Sequence, residues 1–285
     1  MTKEEFTQKL IKYAVTSSDN YVTEENAIFP ELVGMKMYEE PIVGFSSAED
    51  ELYTKEFKKD GVISPKYMAP KEWLANADTV VSLFFPFEKA VRESNTLSVD
   101  RIYDPSLELS ASAQWLHARI EGQIYLMKVM SYAIEILKEE GFDSVQPQGD
   151  KRWGFVAPLV SNWSERHAAY ASGLGTFGLS KGLITRKGMA GRFASIITSA
   201  HFDADVRPYS SPFEYCIMCG ACQQRCPAEA IDKSKGVALG KDHSICQPYV
   251  DSHKLPPFGP NKLVRYGCGK CQVAVPCEHE IPKRI

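Results

Sequence analysis

Apolar positions recur at helical spacing through residues 107–140. Trp115, Ile120, Ile124, Met127, Ala133, Ile136 and Leu137 fall on one stripe, and Gly141 stands where a C′ glycine would close the helix. Thr2-Lys3-Glu4-Glu5 is a capping-box pattern that opens a second helix through Leu10, Ile11 and Ala14. Residues 77–85, rich in β-branched and aromatic side chains and stopped by Pro86, predict a buried strand. Residues 192–198 predict another. Between the strands, residues 163–172 predict a helix that ends at Gly173. Residues 18–75 carry few periods and many Pro, Gly and acidic residues, and read as loops with short elements. Helices and strands therefore interleave before residue 205, as in an α+β fold. The Pro- and Ser-rich residues 207–213 read as a linker, which divides the chain into domains 1–205 and 206–285.

Composition changes this picture little. With 285 residues, 44% hydrophobic and 24% charged, the chain is an ordinary globular sequence. A net charge of −3 gives no general attraction for nucleic acid or anionic lipid, so tRNA as a partner finds no support in charge. The N-terminus is charged from the start and has no apolar core of a secretory signal. The apolar stretch at residues 80–87 is far too short to span a bilayer. The expectation is a cytoplasmic protein with no membrane contact.

The cysteines change it most. All eight lie between Cys216 and Cys277. Cys216-x-x-Cys219-x-x-Cys222-x-x-x-Cys226-Pro227 has the spacing of bacterial ferredoxins, in which three close cysteines serve one cube and the fourth serves another. Gly220 and Ala221 let the backbone wrap closely. The second group is Cys246, Cys268-x-x-Cys271 and Cys277, with proline before the last cysteine instead of after it. By analogy with two-cluster ferredoxins, Cys216, Cys219, Cys222 and Cys277 hold one 4Fe–4S cluster. Cys226, Cys246, Cys268 and Cys271 hold the other. A zinc ribbon would need two CxxC pairs and not a CxxCxxCxxxCP run. Low-potential electron transfer is the expected work of this region.

Gly173-x-Gly175-x-x-Gly178 matches the dinucleotide fingerprint literally, but a helix precedes it where a strand is required. A glycine-rich helix stop and turn is the plainer reading. These glycines allow positive φ and close backbone approach to a ligand.

The Ala171-x-Gly173-Leu174-Gly175-x-x-Gly178 segment, the strand after it, the cysteine pattern and Tyr266-Gly267-Cys268-x-x-Cys271-Gln272 together resemble the epoxyqueuosine reductase family. The resemblance covers roughly residues 70–277. It implies a nitroreductase-like, cobalamin-binding α/β-type module followed by a bacterial dicluster ferredoxin-like domain. It also implies that Gly173, Gly175, Gly178 and Ser180 lie against the cofactor. Electrons would come from a ferredoxin or flavodoxin, and the substrate would be a small molecule or a modified nucleoside. Three departures point to a short paralogue. Residues 157–162 carry no acid where the family has its aspartate proton donor. The family's Gly-Lys-Asn is Gly178-Leu179-Ser180. The sequence also stops eight residues after Cys277, without the family's extension toward tRNA. The alternative is an electron-transfer or corrinoid-reactivating protein that reduces a partner and has no small-molecule substrate of its own; flavin in place of corrinoid is a third possibility.

No catalytic residue is assigned. Glu165, His167 and Tyr170 precede the glycines, and a structural role is expected for each. His117 and Arg119 are expected to make salt links or face solvent. Asp251-Ser252-His253 is similar to a motif that supplies a lower cobalt ligand, but Pro256 breaks it.

Overall fold

The computed structural model describes residues 1–96 and 111–284. Helix α1 (Lys3–Thr16) opens with the expected capping box: Thr2 Oγ1 accepts from the Glu5 amide, and Glu5 Oε2 accepts from the Thr2 amide. Phe6, Leu10 and Ala14, four apart, form its buried face.

The centre is an antiparallel four-stranded sheet. Its strands are β1 (Ile42–Ser47), β2 (Thr79–Pro86), β3 (Ser144–Val145) and, later in the chain, β6 (Gly191–Thr198), in the order β1-β2-β6-β3. Strand β2 is buried throughout, Thr79 and Ser82 included, and pairs Val81 with Ile196 and Phe84 with Phe193. Strand β1 lies within the stretch expected to be loops. Gly44, Ser46 and Ser47 dilute its apolar pattern, but Gly44 is needed there: a Cβ would stand 2.4 Å from the Ser172 carbonyl oxygen.

Helix α2 (Ala113–Glu139) packs on the sheet and is N-capped by Ser112, whose Oγ accepts from the Trp115 amide. Residues 107–110 of the expected helix lie outside the described residues. Gly141 follows the helix with φ +86°, as predicted. The expected apolar stripe is rotated from the true one. Trp115, Ala133, Ile136 and Leu137 are buried, but Ile124 is exposed. The buried face runs instead through Ala118, Gly122, Tyr125 and Val129. Gly122 admits the Tyr38 ring, whose hydroxyl donates to the Ala118 carbonyl at 2.5 Å.

Helix α3 (Glu165–Ala171) stops at Gly173, φ +76°. It leads into a hairpin of β4 (Gly175–Phe177) and β5 (Leu183–Thr185). A Cβ on Gly175 would lie 2.1 Å from the Ile184 carbonyl oxygen across this hairpin. Backbone cannot yield that far, so Gly175→Ala is expected to cost about 3 kcal/mol, read as a lower denaturation midpoint at unchanged m-value.

Residues 207–213 contain no regular element but are pinned to the rest. Arg207 pairs with Asp50, Tyr209 Oη donates to the Tyr170 carbonyl at 2.5 Å, and the Phe177 amide donates to the Pro212 carbonyl at 2.7 Å. Beyond them the chain turns through short helices, the longest being α4 (His243–Ser252). Among the described residues no helix is long and apolar enough to cross a membrane.

Candidate functional site

The cysteine loops owe their shape to left-handed backbone. Met218, Gly220, Glu229, Gly267, Gly269 and Ala274 all have positive φ. Non-glycine residues in this region store strain, which collects where a chain must turn tightly around a site. At Gly269 a side chain is also excluded by space, since a Cβ would fall 2.1 Å from the Trp115 ring.

These turns gather the thiols into two sets. Cys216, Cys219, Cys222 and Cys277 line one narrow, mainly apolar cavity, closed by Gly178, Leu179, Ser180 and Met189. Cys226, Cys246, Cys268 and Cys271 line a second cavity, of about 300 Å³. Burial, and after it the neighbouring thiols, push Cys222, Cys268 and Cys277 up to about 12. The Ala230 amide donates to Cys226 Sγ at 3.3 Å, and Lys241 Nζ approaches Cys271 Sγ at 4.0 Å.

The first part of the chain holds these loops in place. Asn95 Nδ2 donates to the Cys268 carbonyl at 2.9 Å, Arg225 Nη2 to the Thr96 carbonyl at 2.7 Å, and the Met189 amide to the Cys277 carbonyl at 3.0 Å. Gly178 and Ser180 therefore meet the first thiol cavity. Gly173 and Gly175 line neither thiol cavity and serve close backbone packing.

Two further cavities adjoin the second thiol set. One, of about 350 Å³, lies against α3 and β6. Its lining includes Gln148, Trp163, Glu165, Phe193 and Gln272. The other, of about 660 Å³, is lined by Phe57, His167, Tyr170, Phe177, Lys181 and Phe213 among others. Arg166 lines all three, and Arg119 and Arg192 line both the second thiol cavity and the one beneath α3. Each guanidinium donates to an uncharged oxygen: Arg119 Nε to Tyr266 O at 2.7 Å, Arg166 Nη1 to Lys181 O at 2.6 Å, and Arg192 Nη2 to Gln123 Oε1 at 2.5 Å. Burial, and then Arg192, lower Arg119 to about 10. A region so rich in positive charge favours an anion.

Glu165 lies at the edge of this region. Its Oε2 accepts from Ser195 Oγ at 2.5 Å, and Ser195 in turn accepts from Trp163 Nε1 at 3.0 Å. Burial raises the Glu165 carboxyl to about 8. His167 is held by Ser164 Oγ at 2.8 Å and packs against Phe57 and Phe177. Burial, and then Arg166 and Lys181, lower it to about 3.

The remaining candidates separate. His117 is fully buried: Nε2 accepts from the Ile28 amide and Nδ1 meets Glu121 Oε1, each at 3.0 Å. Arg119 faces the cavities and not solvent. His253 caps α4, with Nδ1 2.7 Å from the Tyr249 carbonyl, and lines none of the four cavities. Sequence reasoning did not single out Arg166, Arg192 or Ser195. They stand on separate elements, and only the fold joins them.

A family model described as a 4Fe-4S binding domain matches residues 212–232. Solved structures share the fold of nearly the whole chain. Epoxyqueuosine reductase from Bacillus subtilis, with its catalytic loop swung out of the active site, superposes at a TM-score of 0.55 and 18% identity. The match covers 96% of this chain and 66% of that one. A complex of epoxyqueuosine reductase with an epoxyqueuosine-modified tRNA stem loop gives the same values. A catabolic reductive dehalogenase matches at a TM-score of 0.52 and 15% identity, over 85% of this chain and 30% of that one. The chain thus spans 66% of the length of the epoxyqueuosine reductases it resembles. No curated protein matches it by sequence. The chain has a mixed α and β fold shared with these reductases and carries a ferredoxin-like 4Fe-4S region. Both kinds of reductase match nearly the whole of this chain, and the match takes in 66% of the epoxyqueuosine reductase against 37% of the dehalogenase.

Proposed function

We propose that the protein is an iron–sulfur reductase of the epoxyqueuosine reductase type, with two 4Fe–4S clusters on its two thiol sets and a cobalamin in the adjoining cavities. The observation that carries this reading is the second thiol set, which opens on the same arginine-lined space that reaches the central sheet. The thiols fall in two sets of four, each set lining one cavity. Among the described residues no three His, Cys, Asp or Glu side chains form a single-ion site. Tetrahedral zinc would draw its sulfurs to about 3.8 Å of one another, given a Zn–S distance of about 2.3 Å.

The cavities also suit a corrinoid. Their combined extent around Arg166 admits a large ligand, and three guanidiniums match its phosphate. When bound, such a group supplies low-potential reductive chemistry at cobalt, and the clusters supply single electrons. Arg119, Arg166 and Arg192 would orient the ligand. Gly178, Leu179 and Ser180 would shield the first thiol set from water, and Lys241 would moderate the charge at Cys271. In this reading residues 1–205 form a nitroreductase-like module and residues 206–285 a dicluster domain. The electron donor is a ferredoxin or flavodoxin, the location is cytoplasmic, and the substrate is a modified nucleoside in tRNA or a related small molecule.

Anaerobically purified protein is expected to hold about eight iron atoms per chain, two per pair of cysteines as in other Cys₄ cubes. It should also retain cobalamin through gel filtration. Zinc in place of iron overturns the reading; iron without cobalamin retention replaces it with an electron carrier.

A further inference from the structure

We propose that Glu165 is the proton donor of the cavity beneath α3. The inference rests on the reading of that cavity as a reductive site. Among its lining residues, and among those of the cavity of the second thiol set, Glu165 is the one carboxyl group. Residues 157–162, just upstream, contain no acid.

The hydrogen bonds around Glu165 fit an acid that is neutral at rest. Oε2 has the Ser195 hydroxyl, which is aligned by the Trp163 indole. Oε1 is buried and has no hydrogen-bond partner. An ionised carboxylate so placed leaves charge on an unsolvated oxygen, which is costly. A proton on the carboxyl group removes that charge and makes Glu165 the one carboxylic acid on the cavity wall. Burial raises the group accordingly, against the opposing pull of Ser195, Trp163 and Arg192.

The charged and titratable groups that face it come from three sides. Arg192 is on β6, Arg166 is next to it on α3, and Arg119 is on α2. Tyr67, buried against Trp163, is the fourth. Arg192 favours the carboxylate that remains after the proton has left. The acid is thus neutral before the step and stabilised after it, which is what a general acid requires.

In the step, the epoxide of the substrate takes up two electrons, delivered singly by a ferredoxin-class carrier, and two protons, one from Glu165 and one from cavity water. The Glu165 O–H bond breaks and that hydrogen bonds to the epoxide oxygen, while both C–O bonds break, the carbon–carbon double bond forms and the oxygen leaves as water. The carboxylate then regains a proton from cavity water.

Infrared spectroscopy of the cluster-loaded full chain, with an epoxyqueuosine-modified stem loop as the substrate probe, tests this. The protein is expected to show a carboxylic-acid carbonyl band at pH 7 that disappears as the pH passes about 8. The band should be absent from Glu165→Gln. That variant should lose about 100- to 10,000-fold in turnover and still bind iron and cobalamin. No band at pH 7, or turnover within tenfold of the parent, overturns the proposal. If the parent does not process the stem loop, the band with its expected titration still supports the acid, and the failure falls on the proposed substrate. Should Glu165→Gln not fold, Ser195→Ala decides. Loss of its hydroxyl moves the titration to higher pH, and an unmoved titration overturns the assignment.

Discussion

Cys277→Ser is expected to yield a chain that binds about four iron atoms in place of about eight. Cys277 follows the first cysteine run by some fifty residues in sequence, yet its thiol shares a cavity with Cys216, Cys219 and Cys222. Burial first, and those three thiols second, drive it up to about 12. Four sulfurs so crowded are stable as thiolates only around positive charge, and a serine hydroxyl is a poor substitute ligand for iron. The second set shares no cysteine with the first and is expected to remain loaded. Cys226→Ser should do the reverse. It belongs to the first run by spacing but lines the second cavity. Iron and sulfide analysis with electron paramagnetic resonance reads both variants. If the two variants lost the same cluster, the interleaved arrangement would be wrong.

Arg265→Ala is expected to destabilise the fold by about 3–5 kcal/mol, a large part of the about 5–15 kcal/mol available to a typical domain. The side chain is 1% exposed. Its Nε donates to Glu121 Oε1 at 3.0 Å, Nη2 pairs with the same oxygen, and Nη2 also reaches the Asn26 carbonyl at 3.0 Å. His117 Nδ1 meets the same Glu121 oxygen at 3.0 Å. Burial pushes the Glu121 carboxyl up, but the hydrogen bonds and charges of His117 and Arg265 outweigh it and leave the group below its ordinary value. A folded-state value below the unfolded one gives stability that is complete above the usual carboxylate range and fades as pH falls through it. Removing the arginine strands a buried carboxylate. The paired change Arg265→Met with Glu121→Gln should recover much of the loss, because the cost lies in the unpaired charge. Urea unfolding of the single and double variants measures this, and equal losses in both would refute it.

The sequence made some of this legible and concealed the rest for physical reasons. The cysteines could be read because metal ligation needs particular residues at particular spacings. Strands β2 and β6 could be read because they are rich in β-branched and aromatic residues, Val80, Val81, Phe84 and Phe85 in the one and Phe193, Ile196 and Ile197 in the other. Strand β1 could not, since Gly44 is set by contact with Ser172, more than a hundred residues away. The face of α2 was misjudged because small residues, Ala118 and Gly122, mark the tightest packing and carry little hydrophobic signal. Arg166 and Arg192 were missed, and Arg119 was expected to make a salt link or face solvent, because the three come from a short helix, a strand and a long helix that only the fold brings together. Glu165 was expected to be structural. Its burial and its orphaned oxygen arise from Ser195, thirty residues later, and from the walls of the cavity.

The crossing of the two thiol sets bears on how the protein is made. A nascent chain releases Cys226, Cys246, Cys268 and Cys271 before Cys277 leaves the ribosome. The second cavity can therefore gather its sulfurs first, while the earliest cysteines wait for the last. Any iron delivered to the growing polypeptide would meet three thiols of the first set long before the fourth, and an incomplete, oxygen-sensitive site is the hazard this order creates.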